Sequence, residues 1–465
     1  MKTERYGDVD VDVNMDWLPE RLRSFGQREA VTGRGGQADY TALAERVDAW
    51  GAELSAAGVR RGASVAVIGD TSVGTVSLVL ALILRGCVVV PLAPADPPPG
   101  ARGPRLDIAA VETVVEFRAP DDWQVSNRPA PDSRHALLDS LRAAGEAGLV
   151  LFSSGSTGEV KAALHSFPRL LDRFRTHAGR PLRTMQFMAL DHIGGVNTLF
   201  HTLTGGGTVI VENRRTAEEI CRTVETHRAE LLPTTPTFLN MLLISGAYKN
   251  HDLSSLRLMT YGTEPMRDVT LAHLAETFPG VRLKQTYGLT ETGILPTRSE
   301  SSGSLLMRVG GDGFETRIVD GTLHIRSASS MLGYLNSPDP FDADGWMDTG
   351  DAVELAGDGL LRIIGRRSLC INVGGEKVYP AHVENVLLQA ANVRDVVVEG
   401  RANAVTGQIV TATVEVIEPE DARAMSRRLR AHCAEQLAPH QVPAVITQAE
   451  GQLHSSRFKR QGRTV

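Results

Sequence analysis

The sequence predicts an α/β protein in two parts: a large N-terminal domain of layered α/β subdomains over residues 1–367, and a small α+β domain over residues 368–465. Three observations carry that expectation. Through the first two-thirds of the chain, short apolar runs alternate with longer amphipathic ones, the pattern of strands crossing to helices around a largely parallel sheet. After about Glu300 the character changes to short strands and turns, as in ETRIVDGTLHIRS and GLLRIIGRRS. A chain of 465 residues also exceeds what a single hydrophobic core organises, so two or three domains are expected.

Taken in order, Ala63–Gly69 reads as a strand, Ser72–Leu84 as a helix and Cys87–Pro91 as a second strand. The stretch Val73–Ala93 is apolar enough to imitate a membrane span. Arg85-Gly86 interrupts it and Pro91, Pro94 and Pro97 follow, so a buried helix and strand fit it better. The proline- and glycine-rich run Pro91–Pro104 reads as a surface connection. Further on, Thr208–Val211 is a strand, Ala217–His227 a helix, Leu256–Thr260 a strand and Arg267–Phe278 a helix. Beyond a boundary near Arg367 the pattern gives a helix near Ala381–Ala390, strands at Val393–Glu399 and Val410–Val416, and a helix near Asp421–Leu437.

Composition excludes several function classes. Hydrophobic residues make up 42% and charged residues 22%, ordinary for a soluble globular protein. A net charge of −6 argues against nucleic acid or an anionic membrane surface as the main partner. Cys87, Cys221, Cys370 and Cys433 lie far apart without CxxC spacing, and read as reduced thiols of a cytoplasmic protein rather than a disulfide framework or a zinc site. The opening MKTERYGDVDVDVNMDW is too polar for a signal peptide.

Four motifs carry chemistry. SSGSTGEVK (Ser153–Lys161) crowds small, hydroxylated and glycine residues into a loop closed by a lysine, after the run Leu149–Phe152. Backbone N–H groups of such a loop can wrap a phosphate. It is not a Walker A loop, because no Gly-Lys-Ser/Thr follows its glycines. Alone it fits a flexible Ser/Gly turn better than a phosphate site. TYGLTETG (Thr286–Gly293) follows an apolar strand and contains Glu291, a carboxylate able to reach a phosphate-bound Mg2+, though glutamate after a strand is commonly a solvated helix start. GWMDTGDAVEL (Gly345–Leu355) sets Asp351 after a tight Thr-Gly turn, apt for two ribose hydroxyls. GRRSLCINVGGEKVYPAHVE (Gly365–Glu384) combines paired arginines, a double glycine and a proline at a helix start.

In this order the motifs resemble the acyl-adenylate-forming superfamily: acyl- and aryl-CoA ligases, luciferases and the adenylation domains of peptide synthetases. The resemblance covers nearly the whole chain, with DYTALAERV, LALILRGCVVVPLAPADPP and LHIRSASSMLGYLNSP matching further family motifs. It implies ATP and Mg2+ as cofactors and a small-molecule acid as substrate. Ser154, Gly155, Ser156, Thr157, Gly158 and Lys161 would cradle the β- and γ-phosphates. Gly262, Thr263 and Glu264, after Tyr261, match the segment against the adenine. Tyr287 would stack near the adenine with Gly288 beside it, Thr290 would contact the α-phosphate, and Glu291 would hold the metal. Asp351 would bind the ribose, with Arg366 closing on the same sugar. His192 sits where the family places a gate beside the carboxylate pocket, a position a buried structural histidine would fill equally well. His192, Gly194, Gly195, Asn197, Gly288 and Ile294 are the expected pocket residues.

The chemistry requires such parts. Attack of a carboxylate on the ATP α-phosphate brings two anions together and builds charge on the departing pyrophosphate. Metal, lysine and backbone N–H groups aimed at those oxygens stabilise that charge.

Two departures from the family stand out. The C-terminal catalytic lysine is usually preceded by glycine, and here the region reads LHSSRFKRQGR (Leu453–Arg463). Lys459 fits the lysine with Phe458 before it, whereas alignment on Arg460 puts Arg457 there. Lys459 is favoured, because arginine does not simply replace an ammonium. Ser368 stands where members carry Asp or Lys at the hinge between domains. The two glycines of NVGGEKVYP favour transfer to coenzyme A or to a carrier-protein phosphopantetheine, making an acyl carrier protein a candidate partner, with secondary metabolism as the expected setting. Two alternatives stay open: activation of another acid, such as nitrite for diazotisation of an aryl amine, and a nucleotide-binding pseudoenzyme.

Overall fold

A computed structural model describes residues 15–95, 98–129, 135–154, 159–176, 179–311 and 313–449. The large N-terminal domain holds two seven-stranded sheets. The first runs Arg282–Gln285, Leu258–Tyr261, Leu231–Thr234, Arg183–Met185, Thr208–Val211, Glu29–Gly33, Ala38–Asp39, parallel until the last pair. In the second, Gly148–Ser154, Val88–Leu92, Ser64–Ile68 and Thr113–Ala119 lie parallel, with antiparallel strands added at both edges. The parallel strands Ser64–Ile68 and Val88–Leu92 are buried along their whole length, as expected when helices cover both faces.

The false membrane span resolves as a helix and a strand. Helix Val73–Leu84 starts at Ser72, whose side chain accepts from the Thr75 backbone while Thr75 Oγ1 accepts from the Ser72 N–H. It stops at Arg85-Gly86, where Gly86 takes φ +72° and strand Val88–Leu92 begins two residues later. Ser77 on this helix accepts from the indole of Trp50, fully buried on the neighbouring helix Tyr40–Ala56. Among the described residues, no helix is long and apolar enough to cross a membrane.

A six-stranded antiparallel sheet follows, ordered Thr297–Ser299, Met307–Val309, Leu361–Arg366, Met347–Leu355, Thr322–Ser327, Phe314–Val319. One expectation fails here. Thr349-Gly350 is not a tight turn between elements but an irregularity inside strand Met347–Leu355. Gly350 takes φ +71°, and the pairing jumps from His324 opposite Asp348 to Thr322 opposite Ala352. The two extra residues on this strand re-aim Asp351 without ending it.

The small C-terminal domain is built on its own sheet, ordered Glu376–Val378, Ile371–Val373, Gly407–Val416, Val393–Asn403, with Val445–Gln448 added in parallel against Gly407–Val416. Helices Pro380–Leu388 and Ala422–Gln436 pack on it around Val383, Leu387, Val396, Met425 and Leu429. Gly374 and Gly375, with φ +62° and +96°, form the two-residue tip between Ile371–Val373 and Glu376–Val378.

Arg267 crosses to this domain. Its guanidinium meets Asp395 Oδ1 at 2.7 Å and Glu384 Oε2 at 3.7 Å, and donates to the Val396 carbonyl at 3.0 Å. All three side chains are buried. Beside them Asn385 accepts from the Asp268 N–H at 3.1 Å and donates to the Asp268 carboxylate at 2.9 Å, capping helix Asp268–Thr277 from the other domain.

Candidate active site

Tyr287–Leu289 and Gly293–Leu295 form a short antiparallel hairpin, so TYGLTETG is a hairpin rather than a helix start. Thr290 and Glu291 sit in its tip. Gly288 pairs with Ile294, and a Cβ on Gly288 would come 2.5 Å from the Gly293 carbonyl oxygen, so only glycine lets the two strands close. The Glu291 carboxylate accepts a hydrogen bond from the Tyr334 hydroxyl.

Tyr334 is placed by pairing of Gly333–Tyr334 with Val160–Ser166, Tyr334 opposite Ala163. Asn336 fastens the same strand, accepting from the Ala162 N–H at 2.8 Å and donating to the Val160 carbonyl at 2.7 Å. The Lys161 ammonium then lies 5.2 Å from the centre of the Tyr334 ring. Lys161, Tyr334 and Glu291 therefore form one cluster. The backbone of Ser154 ends strand Gly148–Ser154, paired with Val160 across the hairpin. Gly155, Ser156, Thr157 and Gly158 lie outside the described residues, as do Lys459 and Arg457.

A second cluster lies at the other end of the hairpin. The Tyr287 hydroxyl donates to Asp351 Oδ2 at 2.6 Å, and Arg366 Nε lies 3.2 Å from Asp351 Oδ1. Asp351 pairs with Arg366 across strands Met347–Leu355 and Leu361–Arg366, which sets that contact. Burial pushes the Asp351 carboxyl above the usual range, with Tyr287 and Arg366 pulling it back. Burial and the neighbouring Asp351 charge push the Tyr287 hydroxyl well up, so it stays a donor. Arg366 remains largely exposed, with room to close on a bound group.

Tyr261-Gly262-Thr263-Glu264 leaves the end of strand Leu258–Tyr261. Thr263 adopts φ +73°, a strained left-handed backbone for a β-branched residue. A Cβ on Gly262 would lie 2.5 Å from Thr286 Oγ1, so glycine here allows this segment to lie against the start of the hairpin. Glu264 turns away, accepting from the Thr237 N–H at 3.1 Å and the Thr237 hydroxyl at 2.7 Å in the first turn of helix Pro236–Ser245.

His192 precedes helix Ile193–Thr204, its side chain 39% exposed and its Nε2 3.9 Å from Asp191 Oδ1. That exposure separates it from a buried structural histidine. Gly194 and Gly195 have packing reasons: a Cβ would meet Met188 Sδ at 2.8 Å and the Ala189 carbonyl oxygen at 2.0 Å, respectively. Asn197 and Ile294 line a common cleft.

Three residues of this region escape the sequence reading. Tyr334 lies within LGYLNSP but gives no local sign that it meets Glu291. Arg173, which lines the cleft, reads as the solvated side of an amphipathic helix. His165 is fully buried on strand Val160–Ser166, and burial pushes its imidazole down to about 4.

Two α/β layers, an antiparallel sheet and a small domain, with carboxylates and tyrosines gathered around one hairpin, define an adenylate-forming enzyme. The chain matches the AMP-binding enzyme family over residues 18–335 and the AMP-binding enzyme C-terminal domain over residues 382–457, and it belongs to that family of ATP-dependent ligases releasing AMP and pyrophosphate. Among its relatives, an indoleacetate–CoA ligase of Aromatoleum aromaticum is 29% identical over 437 residues, 82% of this chain and 83% of the relative. A 2-succinylbenzoate–CoA ligase of Bacillus cereus is 27% identical over 474 residues, 92% of this chain and 93% of the relative. The crystal structure of the anthranilate CoA ligase AuaEII in complex with anthranoyl-AMP shares the fold, with TM-score 0.82 and 20% identity over 96% of this chain and 95% of that one.

Proposed function

We propose that the protein activates a carboxylic acid with ATP as an acyl- or aryl-adenylate and passes the acyl group to the thiol of coenzyme A. The observation that carries this reading is the pair of clusters on one hairpin: Tyr287 with Asp351 and Arg366 at one end, Thr290 and Glu291 with Tyr334 and Lys161 at the other. A nucleotide laid along the hairpin would set its ribose on Asp351 and its phosphates toward Lys161. The named relatives, all ligases of acids to coenzyme A, support the choice of acid and acceptor.

In the first step a carboxylate oxygen of the acid bonds to the α-phosphorus. The bond from that phosphorus to the bridging oxygen breaks, and pyrophosphate leaves with the electron pair. In the second, the thiolate sulfur bonds to the acyl carbon, the bond from that carbon to the phosphate oxygen breaks, and AMP leaves with the electron pair as the phosphate dianion. Thr290 would hold an α-phosphate oxygen and Lys161 would face the β- and γ-phosphates, both against charge that grows as the bond breaks. Lys459, from the C-terminal segment, is proposed to bridge the α-phosphate and the acid.

Glu291 fits a Mg2+ site: a partly buried hard-oxygen donor, already oriented by Tyr334, suits an ion that takes most of its ligands from phosphates and water and only one or two carboxylates from protein. Bound there, Mg2+ would neutralise phosphate charge. A carrier-protein phosphopantetheine is the other thiol compatible with the chemistry. The division between the two functional domains is proposed at 367/368, and a cytoplasmic setting is proposed with it, in keeping with four cysteines that are free thiols.

The test is acid-dependent ATP–pyrophosphate exchange, followed by thioester formation with coenzyme A. Exchange with thioester formation supports the reading, exchange without it moves the acceptor to another nucleophile, and no exchange with any acid overturns it. Lys459→Ala is expected to lower exchange by orders of magnitude with the melting curve unchanged. If Arg457→Ala does so instead, the lysine assignment shifts by two residues.

A further inference from the structure

The cleft beside the hairpin begins one residue beyond His192, at Ile193, and one beyond Gly293, at Ile294. Its walls are mostly apolar, with Leu170, Phe174, Ile193, Val196 and Ile294 among them. Into this lining helix Phe167–Thr176 projects a guanidinium, that of Arg173. It stacks over the Phe174 ring at 4.6 Å, and donates to the Ile294 carbonyl and to the Asn197 side-chain oxygen. Those contacts use two of the five N–H donors a guanidinium carries.

No carboxylate of the described residues lies within ion-pairing distance of Arg173. The other ionisable groups facing it make matters worse rather than better. The imidazole of His201, packed against Phe174 at 6.2 Å between ring centres, is pushed down by burial and by the charges of Arg173 and Lys284. The Lys284 ammonium, on strand Arg282–Gln285, is itself lowered by burial and by Arg282 and Arg173. A cation in an apolar lining without a counter-ion is costly, and burial pulls even the Arg173 guanidinium down to about 10. A merely structural tie between Ile294 and Asn197 needs no charge; an amide would make both hydrogen bonds.

We propose that Arg173 is the specificity-determining residue of the acid pocket, and that the acid activated here carries a second carboxylate on its apolar frame, received by the Arg173 guanidinium while the first carboxylate reacts at the hairpin. This rests on the acid-activating reading above. Asn197 and Ile294 fix the guanidinium by two of its edges and leave the remaining donors for a bidentate carboxylate. The apolar walls then hold the frame between the two anionic ends, and a monoacid of the same frame would leave the cation buried and unpaired.

The test uses the full-length protein and matched acids on one frame: benzoate with isophthalate and terephthalate, 3-phenylpropanoate with its 3- and 4-carboxyphenyl counterparts, and hexanoate with adipate. Binding of each free acid is measured by calorimetry, and KM and kcat by ATP–pyrophosphate exchange. At least one diacid should bind tenfold or more tightly than its monoacid partner. Arg173→Gln, which keeps the neutral hydrogen bonds, should abolish that preference by raising the KM of the diacid, while the KM of the monoacid falls or holds because the unpaired cation is gone. Arg173→Lys should retain part of it.

No diacid preference in any pair overturns the proposal. So does an equal loss for monoacid and diacid in Arg173→Gln, the mark of a structural tie, and so does a loss confined to ATP affinity, the mark of a phosphate contact. Diacid binding that depends on Arg173 but gives no exchange supports the pocket assignment and overturns the acid-activating reaction instead.

Discussion

The Tyr287 hydroxyl donates to Asp351 Oδ2 at 2.6 Å, joining the first residue of the hairpin to a strand 64 positions further along the chain. Both side chains are buried, so this bond fixes the carboxylate proposed to meet the ribose. Tyr287→Phe removes the donor and leaves a buried charged acceptor unsatisfied, which costs about 1.5–3 kcal/mol. Lower thermal stability and weaker ATP binding are expected by melting and calorimetry. Asp351→Ala should weaken ATP binding further, because both acceptor oxygens go. Unchanged ATP affinity in both variants would remove this pair from the nucleotide site.

His165 makes stability depend on acid. Its folded pKa is about 4 against an ordinary value near 6.5, so between those limits the unfolded chain binds more protons than the folded one. Stability is therefore complete above about pH 6.5 and falls as pH drops toward 4, by about 3 kcal/mol from this one group. Urea unfolding across that window should show the slope, and His165→Phe should flatten it. An unchanged slope in the variant would assign the acid sensitivity elsewhere.

Gly262 has no room for a methyl group. Gly262→Ala places a Cβ 2.5 Å from Thr286 Oγ1 and 2.8 Å from the Thr286 carbonyl oxygen. The backbone contact cannot be relieved by a rotamer change, and overpacking of this kind costs roughly 1–3 kcal/mol. A raised KM for ATP with a smaller change in the KM of the acid is expected, because the displaced segment is the one proposed to lie against the adenine. An unaltered ATP KM would show that Tyr261–Glu264 plays no part in nucleotide binding.

Arg267 holds the small domain against the large one. Arg267→Met leaves Asp395 and Glu384 buried without their cation, a loss of about 3–5 kcal/mol for a broken buried pair. Because the contact lies between domains, part of that loss is expected as undocking. Limited proteolysis should cut faster in the exposed stretch Arg366–Leu369, and the scattering radius should increase. Proteolysis and radius both like the parent protein would show that Asn385 and Asp268 suffice to hold the domains together.

Legibility in the sequence followed the range of the interactions. Strand Thr208–Val211 and helix Ala217–His227 have the bounds their patterning predicts, because local signals set them: an unbroken apolar run, and a Thr216 side chain accepting from the Glu219 N–H. The order of motifs named Glu291, Asp351 and Arg366 together; the structure sets Glu291 in the tip of the hairpin, and Asp351 and Arg366 on two paired strands beside Tyr287 at its start. The Thr-Gly pair before Asp351 was misjudged because a positive-φ glycine serves a strand irregularity as well as a turn. Arg173 and the Arg267–Asp395 pair were invisible for a different reason. A charged residue on an amphipathic helix looks the same whether it meets water or lines a cleft, and partners 128 positions apart share no local pattern.

Any motion of the small domain must part Arg267 from two buried carboxylates and hand all three charges back to water. A swing between the domains would then be an ionic event as much as a mechanical one, with a barrier that added salt would lower by screening the separated charges.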